Sequence, residues 1–364
     1  MNHFKINHWD IIIIFCKRKN NLEEIEMIDF STKKEFKIAL ICTVIFLCIY
    51  FMLGLIFWNG IIFEEPDGFC EKKYEGLLKE PMNSLSSLAY VLVGLYILYN
   101  YDNFPIKGKN PMLSKDIAPI IYATGSIYLG LGSFAMHGSN TVLGGILDWT
   151  GMLFFISFPV YYNLSRSYSW IGQRLLLLYS SIFIFTALID AIGTITDFVI
   201  IQDYSGKDSF TGSKDLKLKH ITRDYFWSLY IGTWIILEAK NISKNKLILM
   251  ASLPLIALFT LTVNAPWVLL LILTILFLGI AYVLNYYPGR EIIRKPSPYL
   301  WGGILTYILG NIVWRMDKTA EYCNASSLFQ YHALWHISTA FSILFFYNYF
   351  TTEKNNLLIE DSSE

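Results

Sequence analysis

The sequence predicts an all-α, polytopic membrane protein, and three observations carry that prediction. Of 364 residues, 54% are hydrophobic and 16% charged, with a mean hydropathy of +0.43, against about 45–50% and about 25% in an average soluble domain. A water-soluble fold of this size has no interior large enough for 26 Phe, 24 Tyr and 10 Trp beside that aliphatic content. Apolar runs of the length that crosses a hydrocarbon core, roughly 17–25 helical residues, recur along the whole chain. The runs are unbroken rather than alternating, so they read as helices and not as barrel strands. The same composition excludes intrinsic disorder. Lys plus Arg equal Asp plus Glu at 29 each, which leaves no excess positive charge to hold a nucleic-acid backbone.

Ten spans follow in order: 38–59, 82–100, 117–137, 145–164, 175–200, 224–239, 247–263, 266–286, 299–316 and 329–350. The basic residues between them set the orientation. Lys17, Arg18, Lys19, Lys33, Lys34 and Lys37 precede the first span, and Lys107, Lys109 and Lys115 follow the second. Arg166 and Arg174 follow the fourth, Lys240, Lys244 and Lys246 the sixth, and Arg290, Arg294 and Lys295 the eighth. Those loops are expected on the cytoplasmic side. The alternate loops carry little positive charge: residues 60–81 hold six acidic residues against three lysines, and residues 138–144 hold no charge. Both termini then fall inside. The chain divides into a cytoplasmic tail (1–37), an N-terminal span (38–59), a transmembrane domain (60–350) and a C-terminal tail (351–364).

In the tail, Ile11 to Cys16 followed by Lys17, Arg18 and Lys19 reads as an interfacial anchor, with a poorly ordered tail as the alternative. The first span is too long for a cleavable signal core and lacks a small-residue cleavage site, so it is expected to remain as an anchor. The polar insertion Gln202 to Asp224 reads as a spacer on the outer face, with a lid as the alternative.

Ionisable groups within a bilayer cost roughly 2.5–3.5 kcal/mol each at its centre, so the few present need a reason. Of six histidines, His137, His332 and His336 sit on spans, all at outer ends. His332 and His336 are four residues apart and project from one helix face, where they can share a metal. Ser133 and His137 repeat that spacing at the outer end of the third span, and Asp148 opens the fourth. A third imidazole from another helix completes the three-ligand pattern of catalytic zinc, whose open position holds an acidified water. Asp148 is then the general base, its alternative being an N-cap for the fourth span. Ser133 can donate to a developing oxyanion, or serve as a small packing residue.

Outside this group, Glu71 and Glu80 offer oxygen ligands for a hard cation such as calcium, or are solvated acids beside lysines. Cys70 and Cys323 fall on the same non-cytoplasmic side, where a disulfide is permitted. Cys16, Cys42 and Cys48 are expected to stay thiols. Asp317 ends the ninth span, where it can meet a polar head group or simply be a solvated helix-end acid, and Trp335 joins it as a substrate-binding candidate.

Taken together, Cys70-Glu71 followed by Glu80-Pro81-Met82-Asn83-Ser84-Leu85-Ser86, Ser133-x-x-x-His137 with Asp148 eleven residues on, Trp314-x-x-Asp317 followed by Cys323, and His332-x-x-Trp335-His336 resemble the alkaline ceramidases. These belong to a superfamily of membrane hydrolases that also includes adiponectin-type receptors and Per1-like proteins. The resemblance runs discontinuously over residues 69–348 and implies a seven-helix core with about three added helices. It implies zinc on His137, His332 and His336, Asp148 as base, Ser133 near the reacting water, a Cys70–Cys323 disulfide, and Glu71 and Glu80 at calcium-ligand positions. The chain departs from the pattern at Gly68, where the family has Asp, and at Lys73, where it has Asn. It also has 183 residues between Asp148 and His332, an excess assigned to inserted helices at about 224–263.

The implied function is hydrolysis of the amide of a ceramide-like lipid to a sphingoid base and a fatty acid. The alternatives are an acyl-ester hydrolase or transacylase with the same apparatus, an adiponectin-receptor-like receptor, and a transporter relaying protons through the histidines.

Overall fold

In the computed structural model, the described residues are 33–61, 69–106, 110–172, 174–201, 215–242, 267–287, 289–290, 292–294, 297–319 and 321–354. Among them the long elements are α1 (Lys34–Phe57), α2 (Pro81–Tyr101), α3 (Ile117–Ser139), α4 (Val142–Ser167), α5 (Leu175–Thr196), α6 (Trp227–Ile242), α7 (Trp267–Tyr286), α8 (Pro298–Asp317) and α9 (Tyr331–Phe350). The described residues are helical almost throughout; among them one small sheet pairs β1 (Val199–Ile201) antiparallel to β2 (Leu216–Lys217). Among the described residues, five helices, α1 to α5, are long and apolar enough to cross a membrane.

The ends of these helices are written in the sequence. Pro81 occupies the first turn of α2, where its missing N–H is no loss. Asp116 caps α3 by accepting from Ala118 N at 3.3 Å, and Thr141 caps α4 by accepting from Gly144 N at 3.1 Å. Asn140 takes the left-handed conformation (φ 52°) that ends α3.

α3 is the axis of the bundle: α2 and α4 pack along it, α9 lies against α2 and pairs with α8, and α5 and α6 lean on α4. The apolar segments divide by role. In α3, 78% of the central window is buried inside the protein, whereas in α1 only 17% is. Ile41, Met52, Leu55 and Ile56 of α1 are more than half exposed, an apolar face of the kind that lipid covers.

The structure moves three expected boundaries. The fifth span ends at Thr196 rather than residue 200, because Asp197 turns left-handed (φ 49°) and the chain enters β1. The fourth begins at Val142 rather than residue 145, so Asp148 stands on its second turn rather than opening it. The sixth is α6, preceded by a π-helical stretch Ile221–Phe226 that occupies the end of the polar insertion. The span at 247–263, the tail motif Ile11 to Cys16 and residues 202–214 of the insertion lie outside the described residues.

Two polar groupings hold the helices together away from the histidines. Asp190 of α5, fully buried, accepts from Thr222 Oγ1 at 2.7 Å and pairs with Arg223 Nε at 3.1 Å, satisfying within the bundle a charge that lipid cannot solvate. At the end of the bundle far from the histidines, Arg294 is buried among Asn163 Oδ1 (2.7 Å), Glu238 Oε1 (2.8 Å) and Glu353 Oε2 (2.9 Å). Arg166 Nε donates to Glu353 at 2.6 Å, and Tyr349 donates to Glu238 at 2.9 Å. This lattice joins α4, α6, the segment before α8 and the residues after α9.

Candidate metal centre

Four helices meet at the opposite end. Ser133 and His137 stand on the last two turns of α3, and His332 and His336 on the first two turns of α9. Asp148 stands on the second turn of α4, and Ser86 and Ser87 on the second turn of α2. α3 and α4 come this close because of Gly132: a Cβ there would run into the Leu147 carbonyl and lie 3.0 Å from the Asp148 amide. Only glycine allows that backbone approach, which puts Ser133 beside Asp148.

The three imidazoles gather as expected. All are buried, each offers a ring nitrogen within 4.8 Å of the others, and their ring centroids are 4.6–5.1 Å apart. His137 Nδ1 lies 2.6 Å from Glu80 Oε2, and His336 Nδ1 lies 2.9 Å from Ser86 Oγ and 3.3 Å from Ser87 Oγ. With Nδ1 held, Nε2 is the atom each ring has for an ion. His332 Nδ1 is buried with no hydrogen-bond partner, which is costly for a group able to bond and suits a ring whose nitrogen is a ligand. Three neutral nitrogen donors, two of them steered from behind, fit zinc.

Asp148 is 7% exposed, and its carboxylate shares a hydrogen bond with Ser133. Ser133 Oγ also lies 3.3 Å from His336 Nε2 and accepts from Ser87 Oγ at 3.0 Å. The N-cap alternative for Asp148 falls away, because Thr141 caps α4 two turns earlier.

The acids outside the histidine group have other partners. Glu71 accepts from the Met82 and Asn83 amides at 2.8 Å each, so it caps the N-terminus of α2. Burial raises its carboxyl above the usual range, against those two amides. Burial likewise lifts Glu80 to about 7, opposed by Asn83 and by the charges of Lys73 and Lys318. A hard cation at this pair would have to displace the amide and imidazole bonds. Cys70 and Cys323 form the disulfide, with Cα atoms 5.4 Å apart, while Cys42 and Cys48 are free. Asp317 accepts from Cys70 N at 3.2 Å and is 3% exposed, so it braces the disulfide loop rather than standing in solvent. Trp335 stacks toward Tyr307 and Trp314 of α8 and lies over Gly310, on the face of α9 that meets α8.

Sequence reasoning missed three residues around the rings. Phe69 packs at 4.2 Å from His332 and 5.0 Å from His137 by ring centroid, with Lys318 Nζ 4.0 Å above it. Ser86 and Ser87, on His336, had a visible signal in the polar face 83, 84, 86, 87 of an otherwise apolar helix. The bond from Glu80 to His137 had none.

A helical bundle with apolar outer faces suits a membrane protein, and at one end it buries three histidines that could hold a metal ion. Residues 67–205 match the family model for Ceramidase. The match contains Glu71, Glu80, Ser133, His137 and Asp148; His332, His336 and Cys323 lie beyond it and join the site through the fold. No curated protein matches the chain.

Proposed function

We propose that the protein is a zinc-dependent intramembrane hydrolase that cleaves the amide of ceramide-like lipids to a sphingoid base and a fatty acid. The observation that carries this reading is the convergence of His137, His332 and His336 beside the Ser133–Asp148 pair, within a fold whose residues 67–205 match the ceramidase family model.

His137, His332 and His336 hold the ion. A bound zinc supplies Lewis acidity, acidifying water and polarising an acyl carbonyl. Asp148 accepts the proton of the attacking water and returns it to the departing amine nitrogen, as one general base then acid. Ser133 donates its hydroxyl to the acyl oxygen as charge develops there. The burial of all five side chains keeps bulk water from competing. Glu71 and Glu80 are engaged with α2 and with His137, so zinc alone enters this proposal. Both termini are assigned to the cytoplasm and the histidine end to the other side, with about ten spans. The substrate's amide, just below its head group, then meets the site while its chains remain in hydrocarbon.

The test is metal analysis of purified protein followed by incubation with a fluorescent ceramide and a matched phospholipid. One zinc per chain and ceramide turnover are expected, with both lost in His336→Ala. Ceramide turnover that survives the loss of zinc rejects the mechanism, and turnover of the phospholipid alone assigns the site to esters.

A further inference from the structure

The family match begins at residue 67 and leaves α1 outside it, yet the end of α1 is fastened to the segment that carries Glu80. Lys79 is 1% exposed, and its Nζ donates to the carbonyls of Trp58 (2.7 Å), Ile61 (2.5 Å) and Glu75 (3.3 Å). The last carbonyls of a helix lack intrahelical partners, and a cation there is favoured by the helix dipole. Tyr50 Oη and Trp58 Nε1 both donate to the Leu77 carbonyl, at 3.0 and 3.2 Å. Tyr50 also presses on Gly138, where a Cβ would strike its hydroxyl, so α1 packs directly against the neighbour of His137.

On its other side the same segment pairs with the last turn of α3. Lys79 N donates to Gly138 O at 2.8 Å, and Glu80 N donates to His137 O at 3.0 Å. Residues 77–80 are thus clamped between α1 and the end of α3. The clamp leaves the Glu80 carboxylate one place to be: 2.6 Å from His137 Nδ1 and 3.0 Å from Asn83 Nδ2, with Glu80 and His137 side chains each 2% exposed.

A metal-ligating imidazole commonly donates its second N–H to a carboxylate, which fixes its tautomer and ring plane and strengthens it as a donor. We propose that Glu80 is a positioning residue that holds His137 Nδ1–H so that Nε2 faces the metal, and that α1, through Lys79, holds Glu80 there. α1, which precedes the family match, is then a working part of the centre. This rests on the metal-centre reading above.

The experiment uses the full chain in detergent and reads zinc affinity by chelator competition and the visible spectrum of the cobalt-substituted protein, with a thermal melt to report folding. Glu80→Ala is expected to weaken zinc binding about 10- to 100-fold and to alter the cobalt spectrum. Glu80→Gln, whose amide oxygen still accepts from Nδ1–H, recovers part of the affinity. Lys79→Met shifts affinity in the same direction as Glu80→Ala by a smaller factor. Wild-type affinity and spectrum in both Glu80 variants overturn the positioning role; a lower melt with unchanged affinity in Lys79→Met overturns the part assigned to α1. A wild-type protein that binds neither zinc nor cobalt overturns the metal reading itself, a result distinct from either.

Discussion

The two ends of the bundle bury polar groups in opposite ways. At the far end, Arg294 and Arg166 meet Glu238 and Glu353 at 2.6–2.9 Å, cation against anion, so the lattice is neutral by itself. At the histidine end the buried groups are three imidazoles with Glu80 and Asp148. Helices α4 and α9 lead to both ends. The difference teaches which burial serves the fold and which serves chemistry: matched charges fix a geometry, whereas clustered nitrogen donors offer one to an ion.

That contrast breaks first where chemistry is removed without touching packing. Asp148→Asn is expected to lower kcat on ceramide by about 100- to 10,000-fold, the range for losing a positioned base, with zinc content and melting unchanged. A loss of zinc in that variant would move Asp148 from base to ligand. The far end should respond in the reverse sense. Arg294→Met leaves Glu238 and Glu353 buried without their shared cation, an effect of about 3–5 kcal/mol, read as a lowered unfolding midpoint in detergent. Zinc bound per folded molecule should not change. If zinc is released below the unfolding transition, the two ends are coupled and the contrast fails.

The smallest effect concerns acid. Burial alone would raise the Glu353 carboxyl, but Arg294 and Arg166 outweigh it and hold it below the ordinary range. A group whose folded value is depressed stabilises the fold above its unfolded value, near 4.3, and that contribution disappears as pH falls through the folded one. Melting should therefore be insensitive to this group from pH 7 to 5 and drop at more acid pH. Glu353→Gln should flatten that acid limb; an unchanged limb assigns it elsewhere.

Much of this was legible beforehand. Long apolar runs announced α1 to α5 because lipid accepts no unpaired backbone, and the paired spacings 133/137 and 332/336 announced the rings because i and i+4 share a helix face. Which helix faced lipid was not legible from apolar content, since α1 and α3 are both apolar and only packing distinguishes them. The contact of Glu80 with His137 was not legible, because it is set by two backbone bonds between Glu80, Lys79 and the end of α3, 57 residues away. Arg294 counted only as a loop charge, since nothing local reveals that Glu238 and Glu353 converge on it.

The disulfide spans 253 residues, from Cys70 before α2 to Cys323 before α9. A nascent chain halted before Tyr331 carries one imidazole of the three, in α3, so no product terminated there possesses the full histidine group. The group is complete only when synthesis has delivered α9, and the sulfur that ties this part of the chain to the start of α2 is made just before it.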